Sequence, residues 1–191
     1  PLEDGKVTVS RVHGTATYPC KFMLVCAMNP CKCGYLGHPT RECTCTPSAV
    51  DSYRRRISGP LLDRIDLHVE ALPVEYDDLA SEQGGEPSAA IRARVVAARA
   101  IQQERSKTLP GVRCNAQLPS SALRRFCRMT PAADKILRGA FERLGYSARA
   151  YDRILRVART VADLDGAEMI DAAHISEALQ YRSLDRKVGM R

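Results

Sequence analysis

The sequence predicts an α/β fold in its first half, followed by an all-α second half. Residues 6–12 alternate between apolar and polar side chains as in a β-strand. Residues 20–28 form a nearly continuous apolar run, which is typical of a central strand covered on both faces. From residue 88 onward, apolar side chains recur at helical spacing instead. We therefore expect strands and a loop first, and then a separate group of helices.

The first half should contain three strands, and the second strand ends at a candidate ligand-binding position. Residues 14–19 are rich in turn-forming types and predict a turn between the first two strands. The apolar run ends at Asn29, at the carboxyl edge of the strand, where ligands bind in open α/β sheets. A third strand is predicted over residues 66–72.

An irregular loop and short helices should connect the second and third strands. Residues 30–47 contain several glycines and prolines and have no hydrophobic periodicity. Thr46 and Pro47 predict the N-cap and first residue of a helix that runs to about Arg56. Residues 61–64 should form a brief helical turn before the third strand.

The second half is expected to be wholly helical and to be joined by a linker. Residues 73–87 are acidic and contain Gly and Pro, as linkers do. The sequence therefore predicts a first domain over residues 1–72, a linker over residues 73–87 and a second domain over residues 88–191. Five helices are predicted over residues 88–106, 119–128, 130–145, 147–165 and 171–182. The fourth helix has a core stripe of Tyr151, Ile154, Leu155, Ala158, Val161 and Ala162, and its other side carries Arg149, Arg153 and Arg156.

Charge is distributed unevenly along the 191 residues. Residues 1–87 hold nine Lys and Arg against twelve Asp and Glu, whereas residues 88–191 hold twenty against ten. The basic half is thus a candidate for contact with polyphosphate or nucleic acid, although on charge alone a solvated Arg-rich helical surface is the more common explanation. The longest apolar run is too short to cross a bilayer, so we expect a cytoplasmic protein without membrane partners that belongs to a longer chain.

Four of the eight cysteines lie within fifteen residues of one another, as two C-x-C pairs. Four thiolates can bind Zn²⁺ tetrahedrally, and a Gly-rich and Pro-rich loop can bring two pairs together. We predict a structural zinc site, with His38 as a substitute ligand. Reduced thiols or redox-sensitive disulfides are the alternatives, and Cys20, Cys26, Cys114 and Cys127 are interpreted as small hydrophobic residues. The predicted ligands are Cys31, Cys33, Cys43 and Cys45.

Four motifs resemble the magnesium-chelatase-like AAA+ proteins of the ComM or YifB type. They are Leu2-Glu-Asp-Gly5, Asn29-Pro-Cys-Lys-Cys-Gly34, Ser58-Gly-Pro-Leu-Leu-Asp-Arg-Ile-Asp66 and the segment 147–164. The resemblance extends over nearly the whole chain. It implies that the first half is part of an AAA+ ATPase core with the Cys-rich insert, and that the second half is the helical lid or C-terminal domain.

The resemblance also implies roles for individual residues. Asn29 matches the sensor-1 position, which orients the attacking water, although it could simply cap a turn. Arg64 matches the finger arginine that reaches the ATP of a neighbouring subunit, although Asp63 or Asp66 could instead hold it in a surface ion pair. Arg149 matches the sensor-2 position at the start of the lid helix. The remaining basic residues of the fourth helix, Arg153 and Arg156, are expected to pair with Asp152 and its neighbours.

The first strand matches a hairpin that often projects into the central pore of this clade. Lys6 and Arg11 are therefore candidate nucleic-acid contacts, although either could simply be exposed.

The sequence contains no G-x-x-x-x-G-K-[ST] motif and no apolar strand that ends in paired acids. In the family both elements precede the segment seen here, so this chain alone should not hydrolyse ATP. The resemblance implies that the parent protein uses ATP and Mg²⁺, forms a hexameric ring, and drives DNA branch migration during natural transformation. The alternatives are a metal-insertion ATPase subunit and a zinc-bearing module that binds nucleic acid.

Overall fold

The computed structural model describes residues 2–74, 76, 80, 84–182 and 184. The chain divides into two compact units, Pro1–Arg64 and Ile65–Arg191. The predicted linker over residues 73–87 is described only in part, because residues 75, 77–79 and 81–83 lie outside the described residues. The boundaries inferred from the sequence therefore stay a prediction.

The first unit begins with a two-stranded antiparallel hairpin. Strand β1 is Lys6–Arg11 and strand β2 is Gly14–Pro19, and Val9 lies opposite Ala16 in the register. The first predicted strand is thus confirmed, but the predicted turn over residues 14–19 is wrong. Those residues include Thr15 and Thr17, which are β-branched and suit an extended backbone, so the turn contracts to the two residues between the strands.

The apolar run after the hairpin does not form the predicted central strand. Residues 20–28 carry no regular secondary structure, and Phe22, Met23 and Val25 are 54%, 87% and 80% exposed. A strand needs a neighbouring backbone to accept and donate its hydrogen bonds, and β1 and β2 pair with each other in the part of the chain that the structure describes. The strand predicted over residues 66–72 is likewise absent there.

Two short helices complete the first unit, and each begins at a side-chain cap. Helix α1 spans Pro47–Arg54, and the hydroxyl of Thr46 accepts a hydrogen bond from the Ala49 N–H. Helix α2 spans Gly59–Leu62 and begins with an equivalent bond from Leu61 to Ser58. Both helices have proline in their first turn, where no backbone N–H is needed. The prediction for α1 is confirmed, whereas the helical turn predicted over residues 61–64 begins two residues earlier, at Gly59.

The second unit is mostly helical, in agreement with the predicted pattern. Its five predicted helices begin and end within about two residues of the predicted positions, and a 3-10 turn that was not predicted lies between the first two. They are α3 (Ser88–Ser106), a 3-10 turn (Asn115–Gln117), α4 (Ser120–Phe126), α5 (Pro131–Leu144), α6 (Ala148–Leu164) and α7 (Ala172–Gln180).

Helix α6 is the centre of the second unit and contacts α3, α4, α7 and the 3-10 turn. Its predicted stripe faces the core: Ile154, Leu155, Ala158 and Ala162 are buried, and Tyr151 packs against them. Leu137 of α5 and Ile175 of α7 complete the same core. The apolar positions at helical spacing thus identified the buried face correctly.

A buried charge network joins the C-terminal parts of α3 and α6. The Asp163 side chain is fully buried and accepts hydrogen bonds from Arg105, Arg159 and Asn115. The Arg159 guanidinium also donates to the carbonyl oxygens of Ala167 and Glu168. The network therefore pairs the buried carboxylate and satisfies these buried donors, as burial of charge requires.

Among the described residues, we find no helix with both the length and the apolar composition that crossing a membrane demands.

Candidate metal centre and nucleotide-response residues

The four clustered cysteines come together at the base of a loop in the first unit. Cys31 is buried, and the other three cysteines are half-buried. The chain turns after Cys31, where the Gly34 N–H donates to the Cys31 carbonyl at 3.1 Å. Gly34 has φ +88°, a conformation that side-chain-bearing residues rarely adopt. Two cysteines one residue apart can bind a single ion only if the backbone around them turns sharply, and this turn meets that requirement.

The sulfur atoms are arranged as a compact group. The Sγ atom of Cys31 lies 3.3 Å from that of Cys33 and 3.6 Å from that of Cys43, and the Cys33 and Cys43 sulfurs are 3.5 Å apart. All four sulfurs, including that of Cys45, lie within 4.8 Å of one another. A disulfide would require about 2.05 Å. Four thiolates around one Zn²⁺ would be separated by about 3.8 Å, so the donor set fits a tetrahedral soft-metal site.

The local hydrogen bonds favour the thiolate at one end of the cluster. The backbone N–H of Tyr35 and the thiol of Cys31 lower the pKa of Cys33 to about 5. At Cys43, the N–H of Cys45 favours the thiolate, but burial and the bonds to Cys33 and Cys31 outweigh it and raise the pKa to about 12. Within this coupled group, the pKa of Cys33 is therefore shifted toward the thiolate and that of Cys43 away from it.

His38 is not part of the sulfur group. Its Nδ1 atom accepts hydrogen bonds from the backbone N–H groups of Thr40 at 3.2 Å and Arg41 at 3.1 Å. The imidazole therefore holds the tip of the loop, and the substitute-ligand alternative receives no support from this geometry.

The candidate finger arginine, Arg64, is fixed beside a helical turn. It follows α2, and its guanidinium donates to the Pro60 carbonyl at 2.9 Å and to the Glu3 carboxylate at 3.2 Å. Its side chain is about one-third exposed. Glu3, which lies in the first resemblance motif, thus supplies a carboxylate that contacts Arg64. Two motifs that are 61 positions apart in sequence meet here.

Asn29, the candidate sensor, ends the extended apolar segment. It is exposed and lines a shallow open depression together with Ala27, Met28 and Tyr53 of α1. The predicted strand edge is not formed in this unit, so the assignment of Asn29 to sensor 1 stays a prediction.

Arg149 lies in the first turn of α6, as predicted, and is exposed. The helix begins with the Ser147 hydroxyl, which accepts the Ala150 N–H at 3.1 Å. Arg153, one turn further on, pairs with Asp66 of the same unit, and its side chain is only 11% exposed. Arg156 lies 3.7 Å from Asp152 and donates to the Leu118 carbonyl. The predicted pairing with Asp152 is thus confirmed for Arg156, and Arg153 has a different partner.

The hairpin separates the two candidate nucleic-acid residues. Lys6 is at the base of β1 and Arg11 is at its tip, and their positions in the register place them on opposite faces. Arg11 shares its face with Val7 and Val9, whereas the Lys6 face carries the hydroxyl pair of Thr8 and Thr17 at 3.0 Å. One flat ligand surface cannot engage both basic side chains on this hairpin.

Sequence reasoning missed two clusters: the buried network around Asp163, and a group at the tip of the cysteine loop formed by Tyr35, His38 and Arg41. The spacing of Arg159 and Asp163, four positions apart on one helix, was a usable signal for the first. The cluster at the loop tip depends on loop geometry, which sequence periodicity does not predict.

The fold and the site define a two-part protein, in which a loop with a tetrathiol cluster is followed by a basic, mostly helical unit. Residues 85–182 match the family profile described as "Magnesium chelatase, subunit ChlI C-terminal", and residues 1–79 match the profile described as "Magnesium chelatase, subunit ChlI". The chain therefore belongs to the magnesium chelatase subunit ChlI family.

Similar proteins extend well beyond the matched region. The chain is 41% identical over 189 residues to YifB of Escherichia coli K12, which covers 97% of this chain and 36% of that protein. It is 39% identical over 188 residues to "Competence protein ComM" of Haemophilus influenzae, which covers 97% of this chain and 35% of that protein. A Mycobacterium tuberculosis protein, Rv2897c, is 37% identical over 182 residues, covering 95% of this chain and 35% of its own length. The chain thus spans about a third of the length of these relatives.

Proposed function

We propose that this chain is the C-terminal part of a ring-forming, ATP-driven AAA+ motor that acts on DNA. The observation that carries the proposal is Arg64, which follows a helical turn in a family motif and is oriented by Pro60 and Glu3. A guanidinium held at the end of a turn can reach across a subunit boundary. It would stabilise the charge that develops on the phosphoryl group during ATP hydrolysis.

A ring follows from the chemistry of such an arginine. A finger residue has a function only when a neighbouring subunit supplies the nucleotide, so the motor must be an assembly of copies of itself. We assign a hexamer, as the resemblance implies. Arg149, in the first turn of α6, would contact the phosphates in the same subunit, where the helix N-terminus favours negative charge. Asn29 would orient the attacking water.

The exposed apolar segment after the hairpin fits this proposal. Phe22, Met23 and Val25 have exposed side chains in a run that the sequence pattern assigns to a buried central strand. In the proposed motor, a sheet formed with the preceding part of the protein would pair with this segment and cover it. The ATP-binding loop and the Mg²⁺ ligands would belong to that preceding part.

The cysteine loop would hold Zn²⁺ through Cys31, Cys33, Cys43 and Cys45. Four thiolate ligands leave no open coordination position, so bound zinc supplies cross-linking rather than catalysis. The residues of this chain present the sulfurs, and the turn at Gly34 brings the first pair into range. The site would stabilise the loop in a fixed form.

DNA is the proposed substrate of the motor. One relative is named a competence protein, and branch migration in homologous recombination, which the family resemblance implies, is the activity we propose. The second half of the chain carries an excess of ten positive charges, as counted from the sequence, and could contribute to the contact with phosphate.

A second candidate has a specific observation in its favour, because both matching profiles are described as magnesium chelatase. The alternative motor would insert a metal ion into an organic ring rather than move on DNA. A third candidate, a zinc-bearing module that binds nucleic acid without ATP, rests on the tetrathiol cluster and the basic helices. The choice among the three depends on what stimulates ATP hydrolysis.

ATP hydrolysis by the full-length protein, with and without branched DNA, is the experiment that tests this proposal. The DNA motor requires severalfold faster turnover when branched DNA is present. ATP turnover that is robust but unchanged by DNA would favour the metal-insertion candidate. No turnover under either condition would favour the zinc-bearing module that binds nucleic acid without ATP.

The role of Arg64 is testable in the same assay. Arg64→Ala should abolish turnover and leave ATP binding nearly intact, because the finger acts on the neighbour's nucleotide in the transition state. Arg55→Ala is the matched control, since it removes an exposed arginine of the same unit that pairs with Asp51 and should retain turnover. Weakened ATP binding with normal turnover per bound nucleotide would contradict the finger assignment.

A further inference from the structure

The tip of the cysteine loop carries three planar side chains, of which Tyr35 contacts the other two. Arg41 donates a hydrogen bond from Nη1 to the Tyr35 hydroxyl at 2.8 Å, and its guanidinium carbon lies 5.3 Å from the centre of the Tyr35 ring. The His38 ring stands nearly perpendicular to that of Tyr35, with 5.8 Å between the ring centres. From this cluster we infer that the loop tip is a stacking platform for the bases of single-stranded DNA.

The platform is held in place from below. The Cys33 and Cys43 sulfur atoms lie 3.5 Å apart at the base of the loop, so the residues between them form a short loop with its two ends close together. Within it, His38 accepts two backbone N–H groups and fixes the turn that presents Arg41. A preorganised surface loses little conformational entropy when it binds a ligand.

The exposed cations of the cysteine loop suit a strand of nucleic acid. Arg41 and Lys32 are exposed, while Tyr35 and His38 are half-buried. Between Cys33 and Cys43 the charged side chains are Arg41 and one carboxylate, Glu42, and Lys32 adds a second cation at the base of the loop. Aromatic and guanidinium planes next to positive charge are the features on which unpaired bases stack.

The ligand we assign is single-stranded rather than duplex DNA. Bases within a duplex are already stacked on one another, whereas an unpaired base has an open face for Tyr35 or Arg41. The choice of DNA rests on the proposed function, since a motor that migrates branches must handle strands that are transiently unpaired. The stacking chemistry itself is independent of ATP and of Arg64.

Equilibrium binding of this chain to a fluorescent thymidine oligonucleotide of about 20 nucleotides tests the inference, with a duplex of the same length alongside. Two variants remove stacking and retain charge and bulk: Arg41→Lys and Tyr35→Leu. Each should weaken binding to the single strand at least about fivefold and change duplex binding by less than about twofold. Arg55→Lys is the matched control, because Arg55 is an exposed arginine of the same unit that pairs with Asp51, and it should bind as the unchanged chain does.

The results that overturn the inference are equally specific. The inference is overturned if the unchanged chain does not bind the single strand, or if both platform variants bind it as tightly as the unchanged chain does. It is also overturned if Arg55→Lys weakens binding as much as the platform variants do. Metal content and elution volume, measured on every variant, separate a lost platform from a misfolded loop, and Arg41→Lys remains informative if Tyr35→Leu misfolds. If the platform is confirmed while branched DNA leaves ATP turnover unchanged, the motor proposal fails and the platform stands.

Discussion

Asp163 is a residue whose contribution can be measured directly. Its carboxylate is fully buried and joins Arg105 of α3 to Arg159 of its own helix. We expect Asp163→Asn to lower the free energy of unfolding of the second unit by about 3 kcal/mol, because the buried guanidinium of Arg159 and the half-buried one of Arg105 lose their counter-charge. Urea unfolding followed by helical circular dichroism measures the change.

Glu104→Gln is the matched control for this experiment. It makes the same acid-to-amide change on α3, but Glu104 and its partner Lys107 are both about 70% exposed. Exposed pairs of this kind contribute less than about 1 kcal/mol. If the two variants unfold at the same urea concentration, the buried network does not stabilise the unit.

Cys127 and Cys26 should differ sharply in reactivity. Cys127 is buried, and burial raises its pKa to about 11, which suppresses the reactive thiolate, whereas Cys26 is exposed. Iodoacetamide at pH 8, followed by peptide mass spectrometry, should therefore modify Cys26 and leave Cys127 intact until urea is added. Modification of Cys127 in the folded chain at the rate seen in urea would contradict this.

The same thiol links stability to pH. The folded state keeps Cys127 protonated above the ordinary thiol pKa of 9.0, while the unfolded state releases the proton. The stabilisation that the protonated Cys127 thiol gives the folded state is therefore fully present below about pH 9 and is lost as the pH rises toward about 11. Cys127→Ala should therefore reduce the fall in the free energy of unfolding between pH 8 and pH 10, as measured by urea titrations at the two pH values.

At the scale of elements, the two glycines of α5 should respond to alanine in opposite directions. Gly145 ends the helix with φ +62°, where a β-carbon is strained, whereas Gly139 lies within the helix and has open space where a β-carbon would lie. Gly145→Ala should destabilise the unit by about 1 kcal/mol, and Gly139→Ala should stabilise it by about 0.5–1 kcal/mol. Thermal unfolding of the pair against the unchanged chain tests both signs, and shifts in the same direction would contradict the assigned helix end.

The ends of α5 and α6 were predictable because their signals are local. Thr130 and Ser147 cap the helix starts with their own side chains, and Gly145 supplies the left-handed residue that ends α5. The hairpin was predicted only in part, because its second strand, Gly14–Pro19, has the composition of a turn. Strand pairing depends on a partner elsewhere in the chain, and composition does not specify that partner.

At the scale of the whole molecule, metal removal should affect only the first unit. All four candidate ligands lie between Cys31 and Cys45, and the second unit contributes none of them. A strong chelator under reducing conditions should make the loop over residues 30–47 sensitive to limited proteolysis, while the helical circular dichroism is retained. A chain with well under one zinc atom after reduced, chelator-free purification, or with unchanged proteolysis on chelation, would contradict the assignment.

The sequence by itself determined the helical second half, the helix ends, the core stripe of α6 and the identity of the four clustered thiols. Each depends on spacing or on residue chemistry within a few positions of the chain. The tertiary structure decided what long-range proximity controls: the approach of the four sulfurs, the Glu3–Arg64 contact, the burial of Asp163 and the platform of Tyr35 and Arg41. It also separated Lys6 from Arg11 and left residues 20–28 without a paired strand, because hydrogen-bond partners and faces are set by neighbours in space rather than in sequence.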